Sequence, residues 1–384
     1  MNEPQGRAGR GPVYLDYNAT APVRPAAAEA VVRALGVCGN ASSVHAPGRL
    51  ARRLIEDARD AVAALAGAAP SAVIFTSGGT EANATALGAF GTRRVLASAV
   101  EHVSVLKGAT GRTIPVDDRG IVDLGALESL LAADDRPALV AVMLANNETG
   151  VIQPVAEVAS VAKAYGAIVH CDAVQAAGKM ALDVAALGVD SLALSAHKLG
   201  GPQGVGALVL GDPDADLVPL LGGGGQERNR RAGTENLPGC AGFGAAAAAA
   251  RGDVADCRRL ADLRDRLEEQ AVRIMPDLVV VGAGAPRLPN TSCLAVPGLS
   301  AQTMLMALDL AGVAVSSGAA CSSGKVAASH VLDAMGARHL AASAIRVSLG
   351  WASVETDVER FIEAFSRMGL RRSGHPHGDH RALV

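Results

Sequence analysis

Lys198 closes the run Ser195-Ala196-His197-Lys198, and a lysine so placed can do aldehyde chemistry. The residues before it, Asp190-Ser191-Leu192-Ala193-Leu194, read as a short buried strand, and Leu199-Gly200-Gly201-Pro202-Gln203-Gly204 as a tight loop. Lys198 therefore stands where a strand stops, flanked by Ser195, His197 and glycines. Partial desolvation at such a point lowers an amine's pKa and frees it for Schiff-base formation. A solvated loop lysine is the plainer reading, so other residues must carry the argument. Asp172 lies just past a second strand, Ala167-Ile168-Val169-His170. An acid there can pair with the protonated ring nitrogen of pyridoxal phosphate, whose usual protein partners are a Schiff-base lysine and an aspartate. His170-Cys171-Asp172 also has the residue types of a metal cluster, but adjacent residues on an extended backbone alternate in direction and do not converge on one ion.

Three further stretches could join that chemistry. Phe75-Thr76-Ser77-Gly78-Gly79-Thr80-Glu81 follows a strand-like Ala72-Val73-Ile74 and precedes an alanine-rich helix. Gly79 and Thr80 would let the backbone approach an anion at a helix N-terminus, which is a phosphate site. The run has no Walker lysine and no G-x-G-x-x-G fingerprint, which disfavours a nucleotide; by itself the glycine pair could be a turn. Cys321 sits in Ser316-Ser317-Gly318-Ala319-Ala320-Cys321-Ser322-Ser323-Gly324-Lys325, small residues that cannot pack a core. Structural cysteines favour burial among large apolar groups, so this one reads as a reactive thiol. Arg346 interrupts the apolar strand Ile345-Arg346-Val347-Ser348-Leu349 and needs an anion, although no acid adjoins it in sequence. The partner is either an amino-acid carboxylate held in bidentate contact or a structural ion pair.

Taken together, the chain resembles the cysteine desulfurases, pyridoxal-phosphate enzymes of the class V aminotransferase group on fold type I. The resemblance runs from Tyr14-Leu15-Asp16-Tyr17-Asn18-Ala19-Thr20 through Gly39-Asn40-Ala41-Ser42-Ser43-Val44-His45, Glu101-His102, Asn146-Asn147-Glu148-Thr149-Gly150 and the lysine motif with Ser195 and His197. It continues in Arg231-Ala232-Gly233-Thr234, Ser317-Gly318-Ala319-Ala320-Cys321 and Ile345-Arg346-Val347-Ser348-Leu349-Gly350, so it covers nearly the whole chain. It implies that His102 lies over the face of the cofactor ring, that Asn147 contacts the cofactor and that Gln175 donates to its ring oxygen. Asn40 then helps Arg346 hold the substrate carboxylate. Thr234 reaches the phosphate in the neighbouring subunit of a homodimer with shared sites. Read alone, His102 is a surface or core histidine, Asn40 a turn asparagine and the glycine-rich loop before Thr234 a mobile solvated one. The implied reaction converts L-cysteine to L-alanine, with the sulfur passing to Cys321 as a persulfide and then to an acceptor protein. The stretch after Cys321 resembles the long-loop branch, which feeds iron-sulfur assembly and RNA thiolation. Lys325-Val326-Ala327-Ala328-Ser329 replaces the acid-proline pattern often found there, which bears on the partner rather than the chemistry. A transaminase or lyase would use Lys198, Asp172 and Arg346 but leave Cys321 idle; a selenocysteine lyase would use the whole site; a non-catalytic scaffold would have no use for it.

The elements that must position these residues are legible as alternating patterns. Strand-like runs near 73, 95, 140, 168, 192 and 206 alternate with helical ones, the signature of βα units on a mostly parallel sheet. We expect an α/β fold, the type I PLP-dependent transferase fold that the resemblance implies, with a mostly parallel seven-stranded sheet and a smaller α/β domain. Leu139 to Leu144 reads as one continuous buried strand. A surface helix spans Arg49 to Leu65 on the apolar stripe Leu50, Leu54, Ala58, Ala61 and Leu65. Residues 241–250 and the charged run Arg258 to Arg273 read as a long helix leaving the large domain. The expected division is therefore a large domain over 13–255, whose first residues pack on the small one, and a small domain over 256–370. Residues 1–12 and 371–384, the latter with His375, His377 and His380, read as disordered.

Composition narrows the partners. The 384 residues carry a formal net charge of −3, which gives nucleic-acid backbone no bulk electrostatic attraction. The six cysteines form no C-x-x-C pair and no zinc spacing, which fits a reducing compartment. No apolar run reaches about 18 residues, the length of a membrane helix. A cytoplasmic enzyme with no metal, no membrane contact and no direct nucleic-acid contact is the expectation.

Overall fold

A computed structural model describes residues 11–91, 93–110, 112–317 and 329–373. Cys321 and the tail histidines lie outside the described residues, as does nearly all of the N-terminal leader. β1 (Val13–Tyr14) opens the described chain. The strands β2 (Val73–Thr76), β3 (Arg94–Ala97), β4 (Ala138–Ala141), β5 (Ile168–Asp172), β6 (Ser191–Ser195) and β7 (Gly206–Leu210) form one sheet in the order β2-β7-β6-β5-β4-β3. All six were legible as strand-like runs. The sheet is mostly parallel, as expected, but one expectation needs correction: among the described residues it has six strands, not seven. β3 to β6 are mutually parallel, whereas β7 runs antiparallel to both β6 and β2. The reason is the connection: Ala196 to Val205 is too short for the crossover of a dozen or so residues that a parallel neighbour needs. The chain turns straight back, and Lys198 lies in that return. Because β2 opposes β7, its direction matches that of β3 to β6, so the carboxyl ends of these strands share one edge.

β4 spans Ala138–Ala141, and its bonding to β5 carries on to Leu144: the main-chain N–H groups of Val142 and Leu144 donate to the carbonyls of His170 and Asp172. The surface helix spans Ala46–Ala66, capped by the His45 ring, which accepts from the N–H of Gly48, and closed by Gly67 at φ +64°. Its buried face is Ala51, Ile55, Ala58, Val62 and Leu65, so the stripe expected to begin at Leu50 begins one residue later, and Leu50 is exposed. Small residues decide this, because the face meets the alanine-rich helix Leu237–Asp253. At the crossing a Cβ on Gly244 would lie 2.5 Å from the Cα of Ala58, so only glycine permits the approach. The long helix expected over 241–273 is two, Leu237–Asp253 and Cys257–Ile274, joined by a 3-10 turn at Val254–Asp256. The first packs in the core around the central sheet, and the second in a separate core with Leu15, Ile345, Phe361 and Phe365.

That second core lies on β8 (Val279–Val280), β9 (Thr291–Ala295), β11 (Ser316–Ser317) and β12 (Ala344–Ser348), an antiparallel sheet in the order β11-β12-β9-β8. β10 (Val313–Ala314) pairs in parallel with β1, which ties the chain start to this region. The helices Ala301–Leu310 and Glu355–Ser373 complete it, and the last runs past residue 370, where the tail was expected to begin.

Candidate active site

The shared strand edge opens on a cavity of about 290 Å³ bordered by Lys198, Asp172, His102, Gly79, Thr80, Asn147, Gln175, Ser195, His197 and Arg346. Residues far apart in sequence are thus brought together. Asn40 and Thr234 are not among the residues bordering it: Asn40 is exposed, its Oδ1 accepting from the N–H of Ser42, and Thr234 lies exposed in the loop beyond β7. That loop is less free than its glycines imply. The Glu227 carboxylate is buried under Arg59, whose guanidinium donates to both oxygens at 2.7 and 2.9 Å, and the N–H of Phe75 donates to Oε2 at 3.0 Å. Arg231 reaches Glu81 at 2.8 Å, tying the loop to the first turn of the phosphate-loop helix, Gly79–Ala89.

The phosphate loop sits directly on β7: a Cβ on Gly206 would meet the carbonyl carbon of Gly78 at 2.6 Å. At the other end of the cavity, Asp172 is buried where β5 stops. Its Oδ1 accepts from the N–H of Val174 at 3.0 Å and its Oδ2 from Asn83 Nδ2 at 2.7 Å. Asn83 Oδ1 pairs with His170 Nε2 at 3.0 Å, and His170 Nδ1 with Ser191 Oγ at 2.9 Å. An amide oxygen can only accept, so the His170 proton is on Nε2. Burial, opposed by the Asp172 charge, takes His170 down to about 4, which keeps it neutral.

His102 stands on one wall and begins the short helix Val103–Leu106. Its Nδ1 accepts from the N–H of Ser104 and pairs with Ser104 Oγ at 2.7 Å, which leaves the proton of the neutral ring on Nε2. Burial is the main cause that lowers its pKa, with Lys198 and His330 adding to it and Asp172 opposing. His197 pairs with Thr20 Oγ1 at 3.2 Å, and burial with the Lys198 charge takes it down to about 4. Lys198 Nζ donates to the main-chain carbonyls of Asn18 and Ala19 at 2.6 and 2.7 Å. Behind His102, Glu101 is pushed up to about 8 by burial; its Oε1 accepts from Ser98 Oγ and the N–H of Met143, and its Oε2 is buried with no hydrogen-bond partner.

Arg346 has an intramolecular anion after all. Its Nη2 donates to Asp16 Oδ1 at 2.8 Å, a residue distant in sequence, and its Nη1 to the carbonyl of Asn147 at 3.0 Å. Its Nε is buried without a hydrogen-bond partner.

A class-V aminotransferase family model matches residues 13–361. The chain is 45% identical over 368 residues to a cysteine desulfurase of Cereibacter sphaeroides, covering 91% of this chain and 94% of that one. It is 42% identical to an IscS-like cysteine desulfurase of Mycobacterium tuberculosis, with 91% and 94% covered. The chain belongs to the cysteine desulfurase family. A solved structure of a NifS-like protein from Rickettsia africae superposes with a TM-score of 0.86 at 36% identity, covering 93% of this chain and 99% of the other. This desulfurase therefore has the type I fold, and its cofactor is pyridoxal 5'-phosphate. The residues present fit that group: an amine for the aldehyde, a carboxylate for the ring nitrogen and a glycine-lined helix start for the phosphate all border one cavity.

Sequence reasoning passed over Asn83, Asn18 and Lys179. Asn83 carried a signal, a lone amide within an alanine-rich helix one turn after Gly79. Asn18 and Lys179 are discernible only once the strands are assembled.

Proposed function

We propose that this desulfurase converts L-cysteine to L-alanine and passes the sulfur to Cys321 as a persulfide, then to an acceptor protein. The observation that carries this reading is the cavity in which Lys198, Asp172, His102 and Arg346 meet. When bound, pyridoxal phosphate supplies a sink for the electron pair left at the substrate α-carbon. Lys198 would hold the cofactor aldehyde, and its amine would serve as the base that takes the substrate α-proton. Asp172, held by Asn83, keeps a proton on the ring nitrogen, and Gln175 donates to the ring oxygen. Gly79, Thr80, Ser195 and His197 would hold the phosphate end, and Asn147 would contact the cofactor. His102, a neutral ring with its proton on Nε2, would meet the cofactor ring and return a proton to the product. Arg346 takes the substrate carboxylate, with Asn40. The Cys321 thiolate attacks the substrate sulfur: an S–S bond forms, the C–S bond breaks, and its electron pair stays with the carbon skeleton, which leaves as alanine after protonation.

The enzyme acts as a homodimer in which Thr234 and Asn40 complete a site. Supporting this, both are exposed and away from the cavity, and Val218, Leu220 and Leu221 near the Thr234 loop are exposed apolar residues. It works in the cytoplasm and serves iron-sulfur assembly or RNA thiolation; no described helix is long and apolar enough to cross a membrane. The test is to incubate wild type and Cys321→Ala with cysteine and measure alanine and sulfide. Loss of sulfide production in the variant is expected, and full rates without the thiol sink the persulfide step. A Lys198→Ala protein that keeps the visible cofactor band overturns the lysine assignment.

A further inference from the structure

Lys179 is a buried amine that the reaction above does not use. It lies four residues beyond Gln175 and is 8% exposed. Its Nζ donates to Gln175 Oε1 at 2.9 Å and to Asn18 Oδ1 at 3.0 Å. Both partners are neutral amides, a costly setting for a lysine. Burial, with Lys198 and Arg346 nearby, drives its pKa well below the ordinary lysine range.

What these donors accomplish is orientation. The two ends of a side-chain amide are alike in shape and differ only in that one accepts and the other donates. A donor beside Gln175 Oε1 sends Nε2 to the opposite side, where it donates to the main-chain carbonyl of Asn18 at 3.0 Å; Gln175 and Asn18 both border the cavity. Asn18 is fixed in the same way: Oδ1 also accepts from Asn290 Nδ2, and Nδ2 donates to Thr291 Oγ1 at 2.8 Å. The carbonyl of Asn18 is also the one that receives Lys198.

We propose that Lys179 is a positioning residue: it holds the Gln175 amide with its donor end toward the cofactor's ring oxygen, and holds Asn18 so that its carbonyl places Lys198. The proposal rests on the assignment of Gln175 to the ring oxygen made above. Without the lysine, Gln175 is free to turn over and present a carbonyl to an electron-rich oxygen, which repels.

The experiment uses cofactor-loaded wild type, Lys179→Met, Gln175→Met, the double variant and Lys179→Gln. The visible absorption band is titrated with pH, cofactor affinity is measured, and kcat and KM for cysteine follow. Lys179→Met is expected to move the titration midpoint in the same direction as Gln175→Met and to lower kcat/KM about tenfold, the worth of one hydrogen bond to a charged group. The double variant is expected to move no further than Gln175→Met, because both act through one amide. Lys179→Gln retains an N–H donor and is expected to titrate near wild type; this arm decides if Lys179→Met does not load cofactor. A Lys179→Met protein that titrates like wild type beside a shifted Gln175→Met overturns the proposal, as do fully additive shifts or a Lys179→Gln shifted as far as Gln175→Met. If Gln175→Met itself titrates like wild type, the ring-oxygen assignment fails first, and the proposal with it.

Discussion

Asn83 donates its side-chain amide to Asp172 Oδ2 at 2.7 Å, and the same nitrogen reaches Ser104 Oγ at 3.0 Å. Ser104 in turn holds the His102 ring. One amide therefore holds both the buried acid and, through Ser104, the imidazole on the cavity wall, and His170 fixes the amide from behind.

Replacing Asn83 with leucine removes a donor to a buried carboxylate. Hydrogen bonds to charged groups are worth about 1.5–3 kcal/mol, so kcat/KM is expected to fall about ten- to a hundredfold. The visible cofactor spectrum should shift with it; a variant that loses activity with an unchanged spectrum would mean that Asn83 does not act on Asp172.

Arg346→Lys keeps a charge but loses the planar fork that meets Asp16 and Asn147 at once. KM for cysteine is expected to rise at least about tenfold, since one charge-assisted contact is worth that much. Cofactor affinity should stay near wild type. Equal losses in both would place Arg346 in the framework rather than at the substrate.

Glu101 gives a pH signature. Its folded pKa, about 8, lies above its ordinary 4.5, so the folded protein keeps a proton that the unfolded chain has already released in between. Its contribution to stability is therefore complete below about 4.5 and is lost as pH rises through about 8. Glu101→Gln, which never ionises, is expected to gain on wild type in melting temperature as pH climbs through that window. A constant difference across it would show that Glu101 does not titrate there.

Glu227→Ala removes the buried carboxylate of Arg59 and leaves its guanidinium only the more exposed Glu56 and the carbonyl of Val73. Breaking one side of a buried pair costs about 3–5 kcal/mol, read as a fall in the denaturation midpoint. The loop that carries Thr234 should become more sensitive to protease than the rest of the chain. Stability within about 0.5 kcal/mol of wild type, the range of ordinary surface changes, would show the pair to be dispensable.

What could be seen in the sequence was local. Each central strand was a short apolar run with its own boundaries, and Lys198, Asp172 and Gly79 each stood at a strand end. The direction of β7, the one strand of these six that opposes the others, depended on the length of one connection. The helix over 46–66 kept its period but slipped by one residue, because alanines at 51 and 58, not leucines, face the close partner helix. Arg346 was recognised as needing an anion, yet Asp16 lies at the other end of the chain and meets it only after β12 and the chain start have come together. Lys179 offered nothing to read: a lysine four residues from a glutamine is ordinary until both are buried.

β11 pairs Ser316 directly opposite Arg346, and Ser329, where the described chain resumes, donates to Glu148 at 2.5 Å. Glu148 adjoins Asn147, whose carbonyl holds Arg346. The described chain on either side of residues 318–328 is thus fixed to the residues that hold Arg346, so a change at Ser316, Ser329 or Glu148 is felt by that guanidinium as well.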